Sequence, residues 1–142
     1  MKVNGKDYRT IWLEGSSVFM IEQNLLPFEF SVMESLTCAS TCRAIRDMTV
    51  RGAGAIGAAA GFAMAQAALE SHAGIGYEQR LQEARRLIEE ARPTARNLFY
   101  AVERVFNAAL MSPDEAVAEA QRIADEDAYA SRQIGIFGKE LI

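Results

Sequence analysis

The feature that most limits the fold of this chain is a run without charge. From Gly52 to Leu69 there is no Asp, Glu, Lys or Arg, and most positions are alanine or glycine, with Gln66 inside the run and Arg51 at its mouth. A helix apolar on every side has no face to offer water, so such a stretch either spans a bilayer or lies inside a protein. Bilayer insertion is driven mainly by Leu, Ile, Phe and Val, and this composition is wrong for it. Gly57 and Gly61 have the GxxxG spacing that lets neighbouring backbones approach closely. A central helix enclosed by other helices is expected, and no membrane.

Composition agrees. The chain has 142 residues, 50% hydrophobic and 8% aromatic, enough for one domain whose core needs no disulfide or metal. Roughly two dozen alanines favour helix over sheet, because alanine loses no side-chain entropy in a helix and gives a strand little to pack. The formal charge of −4 argues against nonspecific binding to nucleic acid or anionic membrane, which needs clustered Lys and Arg. The first residues are charged and the early apolar runs short, so no secretory leader is expected. With only Cys38 and Cys42, the reducing cytoplasm is the expected location.

The fold expected is mainly α, about five helices with a small N-terminal β-hairpin or short antiparallel sheet. Arg9 to Leu13 and Val18 to Ile21 read as the hairpin strands around Gly15, and the polar edge at Glu34 and Ser35 as an interruption. Cys38, Cys42, Ile45 and Met48 then mark a helix of about three turns. After the uncharged helix, Ser71 to Gly76 is a loop, and Leu81, Ala84, Ile88 and Ala91 mark a third helix that Arg92-Pro93-Thr94 breaks. Thr94 is placed to cap a fourth, along Leu98, Ala101, Val105 and Ala109. Ser112-Pro113-Asp114-Glu115 carries a capping-box spacing, and proline suits the first helical position. The stripe Val117, Ala120, Ala124, Ala128, Ile134 and Leu141 extends that last helix toward the end of the chain, with a bend near Gly135 or Gly138. The final Glu140-Leu141-Ile142 reads as a cut rather than a finish.

Gly52 to Gly57 satisfies GxGxxG, but a dinucleotide site needs a strand before it and a second strand with an acid after it. Neither is there. Two readings of the glycines remain: tight helix packing, or backbone amides at a helix start approaching an anion, with Arg51 adding a fork of donors. Arg92 puts a second guanidinium at another helix start, and it gains interest only if it converges with Arg51 on one anion. His72, the sole histidine, reads as a loop residue, which removes Ser-His-Asp triads. Cys38 and Cys42 fall on the apolar stripe with no second pair to complete a metal site, so neither metal nor cofactor is expected. Asp125-Glu126-Asp127 reads as a solvated run.

Taken together and in order, Glu22-Gln23-Asn24-Leu25-Leu26-Pro27, Val50-Arg51-Gly52-Ala53-Gly54-Ala55-Ile56-Gly57, Arg92-Pro93-Thr94-Ala95-Arg96-Asn97-Leu98 and Ile134-Gly135 to Leu141-Ile142 resemble one family. The resemblance is to the N-terminal domain of methylthioribose-1-phosphate isomerase, a family homologous to ribose-1,5-bisphosphate isomerase and to the alpha, beta and delta subunits of translation initiation factor two-B. The resemblance runs from Thr10-Ile11-Trp12 onward and implies aldose–ketose isomerisation of methylthioribose 1-phosphate in methionine salvage. It implies that Arg51, Gly52 and Ala53 are the substrate-binding turn and Arg92 a second substrate-contacting arginine. Two departures stand out. Gly54 replaces the family's usual proline, removing a fixed φ. The family's catalytic cysteine and aspartate belong to a larger C-terminal Rossmann-like domain that this chain lacks, and neither Cys38 nor Cys42 has their context.

The resemblance thus implies that residues 1–142 form one domain that binds a sugar phosphate and is inactive alone, its partner a C-terminal catalytic domain, another chain or a second copy. A non-catalytic regulatory or assembly module is the alternative, and an unrelated helical binding domain the third possibility.

Overall fold

The computed structural model describes residues 2–141, with strands confined to the N-terminal third. β1 (Lys2–Val3) and β2 (Lys6–Asp7) make a minimal antiparallel pair. β3 (Ile11–Glu14) and β4 (Ser17–Ile21) form the expected hairpin, turning at Gly15, where φ is 61°. The sheet has a third strand that the sequence did not reveal, β5 (Val32–Ser35), antiparallel to β4. Its polar end is not an interruption: Ser35 is buried, with its hydroxyl 2.7 Å from Thr41 Oγ1. Alternation sends Ile11, Val18 and Met20 into the core and leaves Trp12 stacked on Phe19 on the other face.

α1 (Cys38–Arg46) opens with a reciprocal cap: Thr37 Oγ1 accepts from the Ser40 amide, and Ser40 Oγ accepts from the Thr37 amide, both at 3.1 Å. Cys38 and Cys42 are buried, as the stripe implied. The helix ends before Met48, not through it. The Met48 amide donates to Ile45 O at 3.3 Å and the Thr49 amide to Ala44 O at 3.0 Å, a left-handed closing turn with Met48 at φ 62°.

α2 (Ala53–Ser71) is the central helix, buried without interruption from Ile56 to Ala68. Around it lie α1, α3 (Tyr77–Ala91), α4 (Arg96–Ala109) and α5 (Pro113–Gly138). Phe62 and Met64 pack in one core with Leu81, Ile88, Leu98 and Val105. A Cβ at Gly57 would stand 3.1 Å from the Asn97 carbonyl oxygen, so that glycine sets how closely α4 approaches. No helix among the described residues is long and apolar enough to cross a membrane. Gln66, the polar residue within the run, is buried and fully bonded: Oε1 accepts from Thr41 Oγ1 at 2.7 Å, and Nε2 donates to Ser16 O at 3.0 Å and Ser35 O at 2.9 Å. It ties the sheet and α1 to α2.

Two helix starts differ from expectation. A turn in which the Ala95 amide donates to Arg92 O at 3.0 Å moves the cap of α4 from Thr94 to Ala95, which has no side-chain cap bond. At α5 only half of the capping box forms: Ser112 Oγ accepts from the Glu115 amide at 3.1 Å, while the Ser112 amide is taken by Ala108 O at 3.3 Å. α5 is one helix through Gly135 to Gly138, followed by a 3₁₀ turn at Lys139–Leu141. Its stripe is buried only in the first half, at Ala116, Ala120, Ile123 and Ala124, and Ile134 and Leu141 are exposed. Ile142 lies outside the described residues.

Candidate functional site

The link between α1 and α2 carries Arg51 and Gly52, Ala53 is the first residue of α2, and all three are exposed. Gly52 precedes the first turn of α2 at φ 93°, and a Cβ there would meet nothing within 4 Å. Its glycine is therefore required by backbone conformation rather than by crowding. No side chain caps α2, so its first-turn amides have neither a side-chain cap nor an acceptor within the helix.

Arg51 is held at both ends of its guanidinium. Nε donates to the Met48 carbonyl at 3.4 Å, and Nη2 donates to Asn24 Oδ1 at 2.5 Å. Arg92, half-buried at the end of α3, turns toward the same residue, with Nη1 donating to Met48 Sδ. The two arginines that the sequence could only pair by resemblance thus both rest on one methionine. Neither is ion-paired with a carboxylate among the described residues, a state they share with Arg43, Arg46, Arg80, Arg86, Arg96 and Arg132, so what sets them apart is their shared contact with Met48. Two like charges, left uncompensated on either side of Met48, make an open cationic edge suited to a phosphate, which accepts charge-assisted bonds from guanidinium and amide donors together.

The sequence does not single out Met48 or Asn24: Met48 falls on an apolar stripe, and Asn24 is one residue of the Glu22–Pro27 string. A helix of about three turns ending at Asp47-Met48, with no glycine to close it, was the local signal that Met48 is special.

On the other flank of α2 a cavity of about 260 Å³ lies between the starts of α2 and α4 and the middle of α5, lined by Gly54, Gly57, Asn97, Tyr100, Glu126 and Asp127. Neither arginine lines it. A Cβ on Gly54 would fall 1.7 Å from Asp127 Oδ1, so the carboxylate lies where a side chain at 54 would begin. The acidic run is exposed at Asp125 and Glu126, as expected, and both make surface ion pairs. Asp125 pairs with Arg9, whose bond holds its carboxyl below the usual range, and Glu126 is held down in the same way by Arg104. The Cys38 thiol is pushed up by its bond with Cys42 and by burial, so it is no ready nucleophile.

The sequence pattern of the initiation factor 2 subunit family matches residues 49–142. The chain belongs to that family. Among its relatives is the methylthioribose-1-phosphate isomerase of Paramagnetospirillum magneticum, 38% identical over all of this chain and 40% of the relative. The crystal structure of 5-methylthioribose 1-phosphate isomerase from Pyrococcus horikoshii superposes with a TM-score of 0.88 at 38% identity, covering 96% of this chain and 41% of that one. A second family fold, translation initiation factor eIF-2B subunit delta from A. fulgidus, has a TM-score of 0.79 at 32% identity over 96% of this chain and 42% of that chain. This chain thus spans about 40% of the length of the relatives it matches.

Proposed function

We propose that this chain is the phosphate-anchoring half of an aldose–ketose isomerase acting on S-methyl-5-thioribose 1-phosphate or a related sugar 1-phosphate. The observation that carries the reading is the pair Arg51 and Arg92, both on Met48 and both without a carboxylate partner among the described residues. In an aldose 1-phosphate the phosphate blocks C1, so the ring does not open as a free sugar's does. Ring opening must be assisted before hydrogen moves between C1 and C2. Arg51, the amides after Gly52, and Arg92 hold the phosphate and fix the sugar's orientation, which lowers the entropic part of the barrier. The acid and base come from outside residues 1–142.

The openness of the cationic edge supports this division of labour, since half of an enclosed site is open. So does the second half of α5 with the turn after it, where Tyr129, Ile134, Phe137 and Leu141 are exposed apolar surface. A further domain, a partner chain or a second copy covers it in this reading. The cytoplasm is its place.

The test uses NMR titration of the 142-residue chain with a pentose 1-phosphate. Weak binding without turnover is expected, and Arg51→Ala with Arg92→Ala abolishes the shifts. Turnover by this chain alone would overturn the account. The likeness to the A. fulgidus initiation-factor subunit favours a second reading, a non-catalytic regulatory or assembly module. There the double variant leaves sugar-phosphate shifts unchanged.

A further inference from the structure

Asn24 has no part in the role proposed above, yet three hydrogen bonds meet on it. Oδ1 accepts from Arg51 Nη2 at 2.5 Å, Nδ2 donates to the Asp47 carbonyl at 3.2 Å, and its amide donates to Glu22 Oε1 at 3.0 Å. The other oxygen of Glu22 accepts from Thr49 Oγ1 at 3.2 Å, and the Gln23 amide donates to Thr49 O at 2.9 Å. The loop after β4 is thereby stitched to the segment between α1 and α2. Asn24 is the point where that stitching reaches a guanidinium.

The chemistry of an amide at this position is specific. An exposed arginine side chain loses rotamer freedom when it grips an anion, and holding it beforehand removes that cost from binding. A carboxylate would hold it too, but would cancel its charge and compete with the anion. A neutral carbonyl oxygen holds it with the charge intact. Of the five N–H groups on a guanidinium, Asn24 and Met48 engage two, leaving three for a ligand.

Resting on the anion-anchoring role proposed for Arg51, we infer that Asn24 is a positioning residue. It fixes the Arg51 guanidinium for phosphate while leaving its charge uncompensated.

Inorganic phosphate titrated into the 142-residue chain, followed by ¹H–¹⁵N NMR and paired with thermal melts, tests this in four forms: unchanged, Arg51→Ala, Asn24→Ala and Asn24→Asp. Arg51→Ala abolishes binding, and Asn24→Ala weakens it roughly fivefold. Asn24→Asp weakens it further although the new carboxylate pairs with Arg51 and makes the fold at least as stable as that of Asn24→Ala. Affinity and melting temperature therefore rank these two variants in opposite order, which a merely structural residue would not produce. Wild-type affinity in Asn24→Ala or Asn24→Asp, with Arg51→Ala impaired, overturns the positioning role alone, as does affinity that follows melting temperature. Wild-type affinity in Arg51→Ala, or no phosphate shifts in the unchanged chain, overturns the anchoring role and this inference together.

Discussion

Gly57 and Gly61 lie one helical turn apart on the same buried helix, and the structure gives their alanine variants opposite signs. Replacing a helix-interior glycine by alanine stabilises by roughly 0.5–1 kcal/mol, because the unfolded chain loses conformational freedom. At Gly61 the new methyl would sit 3.5 Å from Val105 Cγ2 and 3.8 Å from Ala120 Cα, ordinary contact distances, so nothing offsets the gain. At Gly57 it would sit 3.1 Å from the Asn97 carbonyl oxygen and 3.2 Å from Asn97 Cβ. Backbone at the first turn of α4 must then move by a few tenths of an ångström, and overpacking of this kind costs about 1–3 kcal/mol. Gly61→Ala should therefore gain up to about 1 kcal/mol and Gly57→Ala lose about 1 kcal/mol, a separation of about 2 kcal/mol. Urea unfolding followed by circular dichroism at 222 nm resolves that difference. Equal stabilisation by both variants would refute the claim that Gly57 sets the α2–α4 spacing.

Other perturbations test other links. Met48 closes α1 at φ 62°, so Met48→Gly should be more stable than Met48→Ala by about 1 kcal/mol, the reverse of the order at Gly61, as read by denaturant midpoints. Gln66→Met keeps the volume but removes three hydrogen bonds, with the Thr41 hydroxyl and the Ser16 and Ser35 carbonyls, and should cost about 3 kcal/mol in the same assay. For Glu119, burial pushes the pKa up, but bonds from Arg122 and Arg104 outweigh it and the net direction is down. A carboxyl lowered in the fold adds stability that is present above its unfolded pKa and lost as pH falls through the folded one. The deficit of Glu119→Gln relative to the unchanged chain should thus be full at pH 6 and shrink below about pH 4; a deficit constant down to pH 3 would contradict it.

Helices were legible in the sequence because their causes are local. The uncharged run made α2 buried whatever surrounded it, and Ser112-Pro113 marked the start of α5 through a hydroxyl and a ring that act within one turn. What escaped depends on distant partners. β5 ends on Ser35, polar in sequence but buried through bonds to Thr41 and Gln66. Asp125 and Glu126 are solvated as the sequence suggests, but their partners Arg9 and Arg104 are brought to them only by folding. The apolar stripe extended the last helix toward Leu141, but it is buried only in its first half, because periodicity reports that a face is apolar and not that something within these residues covers it.

The candidate site divides along the same line. Arg51 and Gly52 stood out locally, as a cation and a glycine before an uncharged helix. The convergence of Arg51 with Arg92 is a tertiary fact that runs through Met48, whose left-handed turn directs its carbonyl to one arginine while its thioether meets the other. A non-glycine residue in that conformation costs of order 1 kcal/mol and persists only where its surroundings fix it. Here they do. The Ile45 and Ala44 carbonyls take the amides of the turn, and Asn24 closes it from the other side by donating to Asp47 O. In the anchoring role proposed for Arg51 and Arg92, that strained turn presents the two arginines together, whereas helix termination alone would be met by glycine at lower cost.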